Sequence, residues 1–461
     1  MVKLNPASMI NAKTYLDINL AGGGAFINNN LVNYSNTSVI GLIKDRSLPL
    51  FYSRIVQNQG IPIQIFAKGF VSGPVGTWNQ GDHAIGLAFN YRAYGNLENA
   101  PSFIGNFIDR GISGDHISIL TKPYSAKNIQ MGQMSFAEIQ ASYAYTFLKK
   151  GKNLLSVGVS IKKFYSVQAK VVNVYDADFG FNIDSATVAK SPSSDPTTIA
   201  LHSLNADYMT ASSGDKLYSK KGGMGFDIGF TYQRTLSTCN SYLPHTAKSS
   251  CRYIPYKYKI GVSIIDIGAV KFDATNVNFK GFHFGETTLP SYTIVSKNMD
   301  SVLTSESGNS DLSTGRVAIK NKVQLPTYFS AQFDYNIWAS ALYINASIIQ
   351  GIPHSISKFG VKQASSLSIT PRFETRLFDI ALPFSLYEYK DPQLGLSLRL
   401  GPLTVGTDKF INWFFNVGGA YGADIYVFLK VPMVYHPKCK EMILNKRGKG
   451  GDFKSKINCA F

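Results

Sequence analysis

Apolar and polar side chains alternate along much of this chain, most regularly from Ser365 to Gly406. Leu367, Ile369, Phe373 and Leu377 are separated by Ser366, Ser368, Thr370, Arg372, Glu374 and Arg376. The parity switches at Phe378, and Phe378, Ile380, Leu382, Phe384 and Leu386 then form the apolar row. A third run sets Leu394, Leu396, Leu398 and Leu400 against Gly395, Ser397 and Arg399. Successive strand side chains point to opposite faces, so a period of two makes one greasy and one polar face. Strands of about ten residues with that pattern are the wall elements of a transmembrane barrel.

The same pattern recurs along the chain. Leu16, Ile18 and Leu20 share a face near the start, followed by the bend-permitting run Gly22-Gly23-Gly24. Ile61 to Phe70 reads as a strand turning at Ser72-Gly73-Pro74, and Ile85, Leu87, Phe89 and Tyr91 form a cleaner row. The strongest hairpin joins Ile139–Phe147 to Leu155–Ile161 through a short turn over Lys149–Asn153. Further rows are Met224 to Tyr232, Tyr256 to Ile264, Phe329 to Tyr335, Leu342 to Ile348, and Ile425 to Val431. Residues 28–60, 95–130, 166–222 and 271–323 lose the pattern and read as loops or insertions. One of them holds Asp176, Asp178 and Asp184, which loosely resemble a calcium loop but lack its terminal acidic ligand, so a solvated turn is expected.

The fold class expected from this is all-β: a transmembrane antiparallel β-barrel of about 14 strands with an N-terminal or loop plug. Residues 1–434 form the barrel, with 1–13 as a plug-like segment, and 435–461 form a basic periplasmic tail. A soluble sandwich or propeller would also alternate, but would bury its apolar face against a second sheet. The polar row decides between them. It carries Arg92, Glu138, Asp227, Arg372, Glu374 and Arg399, a set suited to lining a lumen. The bland reading is a charge-balanced network that stiffens the interior; the sharper one is that these groups hold a plug or line a solute route.

Composition agrees. Charged residues make up 16% of the 461, against roughly 25% in average soluble chains, while Tyr (26) and Phe (30) are abundant. No run of ~18 apolar residues exists, so helical spans are excluded. The opening MVKLNPASMINAK has no apolar core of a secretory signal, so a mature chain is expected, its signal peptide absent from this sequence. The formal net charge of +17 comes from lysines scattered in turns and loops, including Lys149-Lys150, Lys162-Lys163 and Lys220-Lys221. No nucleic-acid signature accompanies it, so nucleic acid is not an expected partner. Solvated rim charge is expected, with lipopolysaccharide phosphate or another protein as the specific alternative.

Four cysteines fall in two late pairs, Cys239 with Cys251 and Cys439 with Cys459, neither spaced as a zinc or redox motif. Two loop disulfides are expected, against four free thiols. No two of the seven histidines lie close enough for a metal site, and no hydrolase, metalloprotease or phosphate-loop motif occurs. No metal, cofactor or enzymatic activity is expected.

Several segments together resemble a known family. The opening LNPAS, the middle SIIDIGAVKF, and the late TPRFETRLF, IALPFSLYEY and LGLSLRLGPLTVGTD resemble uncharacterised outer-membrane barrels of Bacteroidota. These are distantly similar to the long-chain fatty acid transporter. The resemblance implies a barrel in the Gram-negative outer membrane and carries no residue of known function. It leaves two roles. One is an accessory subunit of an envelope complex for secretion or outer-membrane assembly, with outer-membrane or periplasmic proteins and membrane lipids as partners. The other is a transporter for hydrophobic or small solutes through a plugged barrel. The lumenal row shows charge, Gly and Ser without a greasy stripe, which favours the first.

Overall fold

A computed structural model describes residues 4–10, 12–33, 38–44, 54–55, 61–102, 123–182, 198–214, 218–219, 221–240, 242–246, 253–284, 287–290, 321–338, 341–353, 359–375, 378–415 and 422–433. The expected tail at 435–461, with Cys439 and Cys459, lies outside these residues, as do Asp184 and Cys251.

Fourteen strands among them build the wall, each antiparallel to its neighbours. They are β1 (Leu16–Asn29), β2 (Ile63–Gln80), β3 (His83–Ala100), β4 (Tyr124–Lys150), β5 (Asn153–Asn182), β6 (Gly223–Thr235) and β7 (Tyr256–Lys271). The second half is β8 (Tyr328–Trp338), β9 (Leu342–Gly351), β10 (Ser366–Glu374), β11 (Phe378–Ala381 continued by Phe384–Tyr387), β12 (Asp391–Leu394 continued by Leu396–Leu400), β13 (Leu403–Thr407) and β14 (Gly422–Met433). Strand β14 pairs back onto β1, with Ile18 opposite Val431 and Ile27 opposite Ala423. The sheet is therefore a closed barrel, and closure removes the exposed edges an open sheet would leave.

The outer face explains the alternation. Ile85, Leu87 and Phe89 on β3, Phe226, Ile228 and Phe230 on β6, and Ile425, Val427 and Leu429 on β14 are all exposed. An apolar band running round the barrel far exceeds the few hundred Å² that a soluble surface tolerates, so it faces lipid. Tyr143, Tyr145, Tyr232, Tyr258 and Trp338 lie toward one end of their strands and form part of an aromatic girdle. At that end three hairpins turn in two residues, Gly81-Asp82, Gly151-Lys152 and Gly401-Pro402. Each begins with a glycine at positive φ (64°, 62° and 55°), which the tight turn requires. In outer-membrane barrels the short turns face the periplasm, which places Leu16 and Met433 at that rim.

The structure departs from the expected loops. Instead of ending at Ser72-Gly73-Pro74, β2 runs on to Gln80 through a bulge between Ser72 and Val75. A bulge lets a strand absorb Gly-Pro without breaking its register beyond it. Likewise, β3 reaches Ala100, β4 begins at Tyr124 and β5 continues to Asn182, so much of 95–130 and 166–222 is strand. A further strand at Thr198–Ser212 pairs with upper β5, and strands at Val277–Phe284 and Thr287–Pro290 pair with that one. Asp176 and Asp178 sit on β5, each accepting a hydrogen bond from the Ser203 hydroxyl, not on a turn. At 27 and 30 residues, β4 and β5 far exceed a membrane crossing, for which about ten residues suffice. Their upper halves stand clear of lipid, so no greasy outward row marks them in the sequence.

Candidate functional site

Residues 5–10 lie inside the barrel. Pro6–Met9 form a 3-10 turn, all four residues buried. Asn5 initiates it: its Oδ1 accepts from the Ala7 N–H at 2.9 Å, and its carbonyl accepts from the Ser8 hydroxyl at 2.7 Å. The Asn5 amide also donates to the carbonyls of Phe230 (3.1 Å) and Val262 (3.4 Å), facing residues of β6 and β7. The inner wall is flat there because it is glycine. A Cβ at Gly158 would stand 2.3 Å from the Ala7 nitrogen, and one at Gly229 would stand 2.2 Å from Asn5 Oδ1. Further along, the Ala12 carbonyl meets His245 Nε2 at 2.9 Å, and Lys13 Nζ reaches Glu374 at 2.5 Å. The segment thus straps the β6–β7 wall to β10 and acts as a plug.

Beside the plug, five successive strands each contribute one charge: Arg92 (β3), Glu138 (β4), Lys162 (β5), Asp227 (β6) and Asp266 (β7), all buried. Arg92 bridges Glu138 (3.0 Å) and Asp266 (Nη1 to Oδ1, 2.9 Å). Lys162 bridges Asp266 (2.6 Å) and Asp227 (2.8 Å), and the Asp266 N–H donates to Asp227 Oδ1 at 2.8 Å. Two cations and three carboxylates are balanced by Lys68, whose Nζ lies 5.6 Å from the Tyr94 ring centroid and which lines the same small cavity of about 70 Å³. Asp266 reaches this position through a bulge in β7 between Ile264 and Ile267, with Asp266 at φ 60° and Gly268 at φ 148°. Ions this deep persist only when each is paired and hydrogen-bonded.

Toward the long-connection rim the interior is apolar. Met134, Phe136, Phe164, Val171, Met209 and Phe272 are buried together with Val323, Leu325, Phe359 and Val361. The expectation of a lumen without a greasy stripe is corrected by this cluster. Part of it lies on upper strands that read as loops, and a bulge near Ser166 shifts the inward parity of β5 to Ala169 and Val171. The expectation of rim lysines also fails at Lys162, which is 2% exposed because two carboxylates hold it inside.

The opposite half of the lumen carries a second ionic set. Arg372 pairs with Asp334 (2.7 Å) on β8 and Glu374 (2.9 Å) on its own strand, and Arg399 pairs with Asp379 across β11 and β12. These groups surround a cavity of about 420 Å³ between the plug and the walls β6 to β12, with Asp17 of β1 and Lys430 of β14 also in its lining. Its lining includes Thr375, which opens the connection from β10 to β11, and Gly401 of the β12–β13 turn, so the cavity reaches the short-turn rim. Of the expected lumenal residues, Arg92, Glu138 and Asp227 meet in the first set, Arg372 and Glu374 in the second, and Arg399 lines the same cavity. Lys162, Asp266, Asp334 and Asp379 complete these pairings without having stood out in the sequence. Lys162 and Asp379 had a visible signal, since each falls on the inward row of its strand.

Beneath the barrel, residues 236–240 and 242–246 of the connection between β6 and β7 pack on the short turns: Cys239 N–H donates to the Gly151 carbonyl (2.7 Å) and Gly81 N–H to that of Pro244 (2.8 Å). Among the described residues Cys239 is a free, buried thiol packed with Leu154, Tyr242 and Ile254; its expected partner Cys251 lies outside them. Burial pushes this thiol above the ordinary cysteine pKa.

Among solved structures, the chain is similar to the toluene transporter TodX of P. putida, at 7% identity and TM-score 0.37, covering 94% of both chains. It is also similar to a Pseudomonas aeruginosa FadL homologue at 10% identity and TM-score 0.35, covering 94% of this chain and 93% of that one. No curated protein matches. A family profile described as a family of unknown function (DUF5723) matches residues 6–408, and the chain belongs to that family.

Proposed function

We propose that this outer-membrane barrel transports small solutes, with the plug and the buried ion pairs controlling passage. The observation that carries this reading is the cavity of about 420 Å³ beside the plug, reaching the short-turn rim. The lining favours small polar or charged solutes over purely apolar ones, since Arg372, Glu374, Asp379 and Arg399 stand around it. The accessory-subunit reading rests on long connections and a tail that lie largely outside the described residues, and no contact in the barrel adds to it.

Osmotic swelling of liposomes carrying the purified barrel tests the proposal. Small sugars and amino acids should enter faster than into protein-free liposomes. Seating of the plug should limit the rate, so Gly158→Val should raise it. Barrels that stay impermeable in both forms would remove the transport reading.

A further inference from the structure

The large cavity carries an unbalanced charge. Its ionisable lining comprises five cations, Lys13, Lys259, Arg372, Arg399 and Lys430, and four carboxylates, Asp17, Asp334, Glu374 and Asp379. Each carboxylate is already engaged: Asp17 by Lys430 (2.7 Å), Asp334 by Arg372 (2.7 Å), Glu374 by Lys13 (2.5 Å) and Asp379 by Arg399. Five minus four leaves one positive charge, and the pairing identifies it as Lys259. Its Nζ has no carboxylate within ion-pair distance among the described residues, and its hydrogen bond to the Ser8 carbonyl of the plug is long, at 3.5 Å. Asp334, its cross-strand neighbour, is held by Arg372 and by the Tyr256 hydroxyl at 2.5 Å.

We infer that Lys259 is the anchor of a binding site for a small organic monoanion. An entering carboxylate would bring the lining to neutrality and give Lys259 the charged acceptor it lacks, a gain larger inside a protein than in water. The same lining includes Leu4, Ala12, Tyr253 and Tyr256, apolar or aromatic surface that suits a small hydrocarbon or ring attached to the anion. The volume of about 420 Å³ accepts an aromatic acid with room for water. Because Lys259 also touches the plug, occupancy of this site competes with a contact that seats it.

The test uses the full chain in detergent with benzoate as the probe and benzamide as its neutral isostere, measured by calorimetry. Benzoate should bind, and benzamide should bind about tenfold or more weaker, the worth of one charged hydrogen bond. Lys259→Gln should lose benzoate affinity by a similar factor, while Lys259→Arg should keep it. Heat-shifted gel migration checks that each variant is folded, and if Lys259→Gln does not fold, the benzoate-to-benzamide ratio of the unaltered chain decides. Equal affinity for the two probes, no benzoate binding, or undiminished binding by folded Lys259→Gln would overturn the inference. It rests on the transport reading for its purpose but is tested apart from it. Binding without flux would retire passage and keep the site, and flux without binding would do the reverse.

Discussion

Arg92 and Asp266 stand 174 positions apart in the chain, yet Arg92 Nη1 donates to Asp266 Oδ1 at 2.9 Å inside the barrel. The pair ties β3 to β7 across three intervening strands, and Lys162 shares the same carboxylate. Removing one member leaves a buried charge without its partner, which costs about 3–5 kcal/mol. Arg92→Leu and Asp266→Asn should each lower the denaturant midpoint strongly, and the double variant should lose less than the sum of the two. Additive losses in guanidinium unfolding would mean that the two residues do not act as a pair.

The plug rests on glycine, so its seat can be removed without touching it. Gly158→Val would drive side-chain atoms into the Ala7 backbone, an overpacking that costs about 1–3 kcal/mol. The barrel should still fold, with the first dozen residues displaced. A probe at Met9→Cys, a position 3% exposed and outside the cavity lining, with the native cysteines changed to serine, should be shielded from a water-soluble maleimide in the parent and labelled in the Gly158→Val form. Continued shielding would show that the segment does not depend on that floor.

Arg372 holds Asp334 and Glu374 from one position. Arg372→Leu should lower the thermal midpoint, because two carboxylates lose their shared cation. Arg372→Lys should lose less, since it keeps a point charge there without the fork. If Arg372→Leu leaves the midpoint unchanged while flux changes, the residue serves the solute route and not the frame.

Cys239 should react slowly. Burial raises its thiol above the ordinary pKa, so less thiolate exists at pH 7, and its hydrogen bond to the Gly151 carbonyl shields the sulfur. In a chain whose other cysteines are serine, maleimide labelling should be slow when folded, rise with pH, and become fast on unfolding. Equally fast labelling of both states would contradict the packed position under the barrel.

The wall was legible because lipid imposes one rule on every crossing. Phe226, Ile228 and Phe230 must all face outward, and that row is visible without any structure. The rule stops at the membrane edge, so upper β4 and β5 read as loop although they are strand. The lumenal charges were legible as a row but not as pairs, since strand spacing says which face a side chain takes and not which distant strand stands opposite. Asp266 was hidden further by its bulge, which turns it inward out of phase with Ile264. The glycines of β5 and β6 were visible as small lumenal residues, but their reason, the turn at Pro6–Met9 pressed against them, exists only in three dimensions.

Solute flux through a barrel whose cavity can be blocked at will tests the central claim most directly. Ser347 lines the cavity and, among the described residues, bonds laterally to Ser368 at 2.7 Å. With native cysteines replaced, a Ser347→Cys barrel in liposomes should admit small solutes as the unaltered protein does, and a bulky methanethiosulfonate should then slow that entry severalfold. Flux that is unchanged after complete modification, or absent throughout, would contradict passage through this lumen.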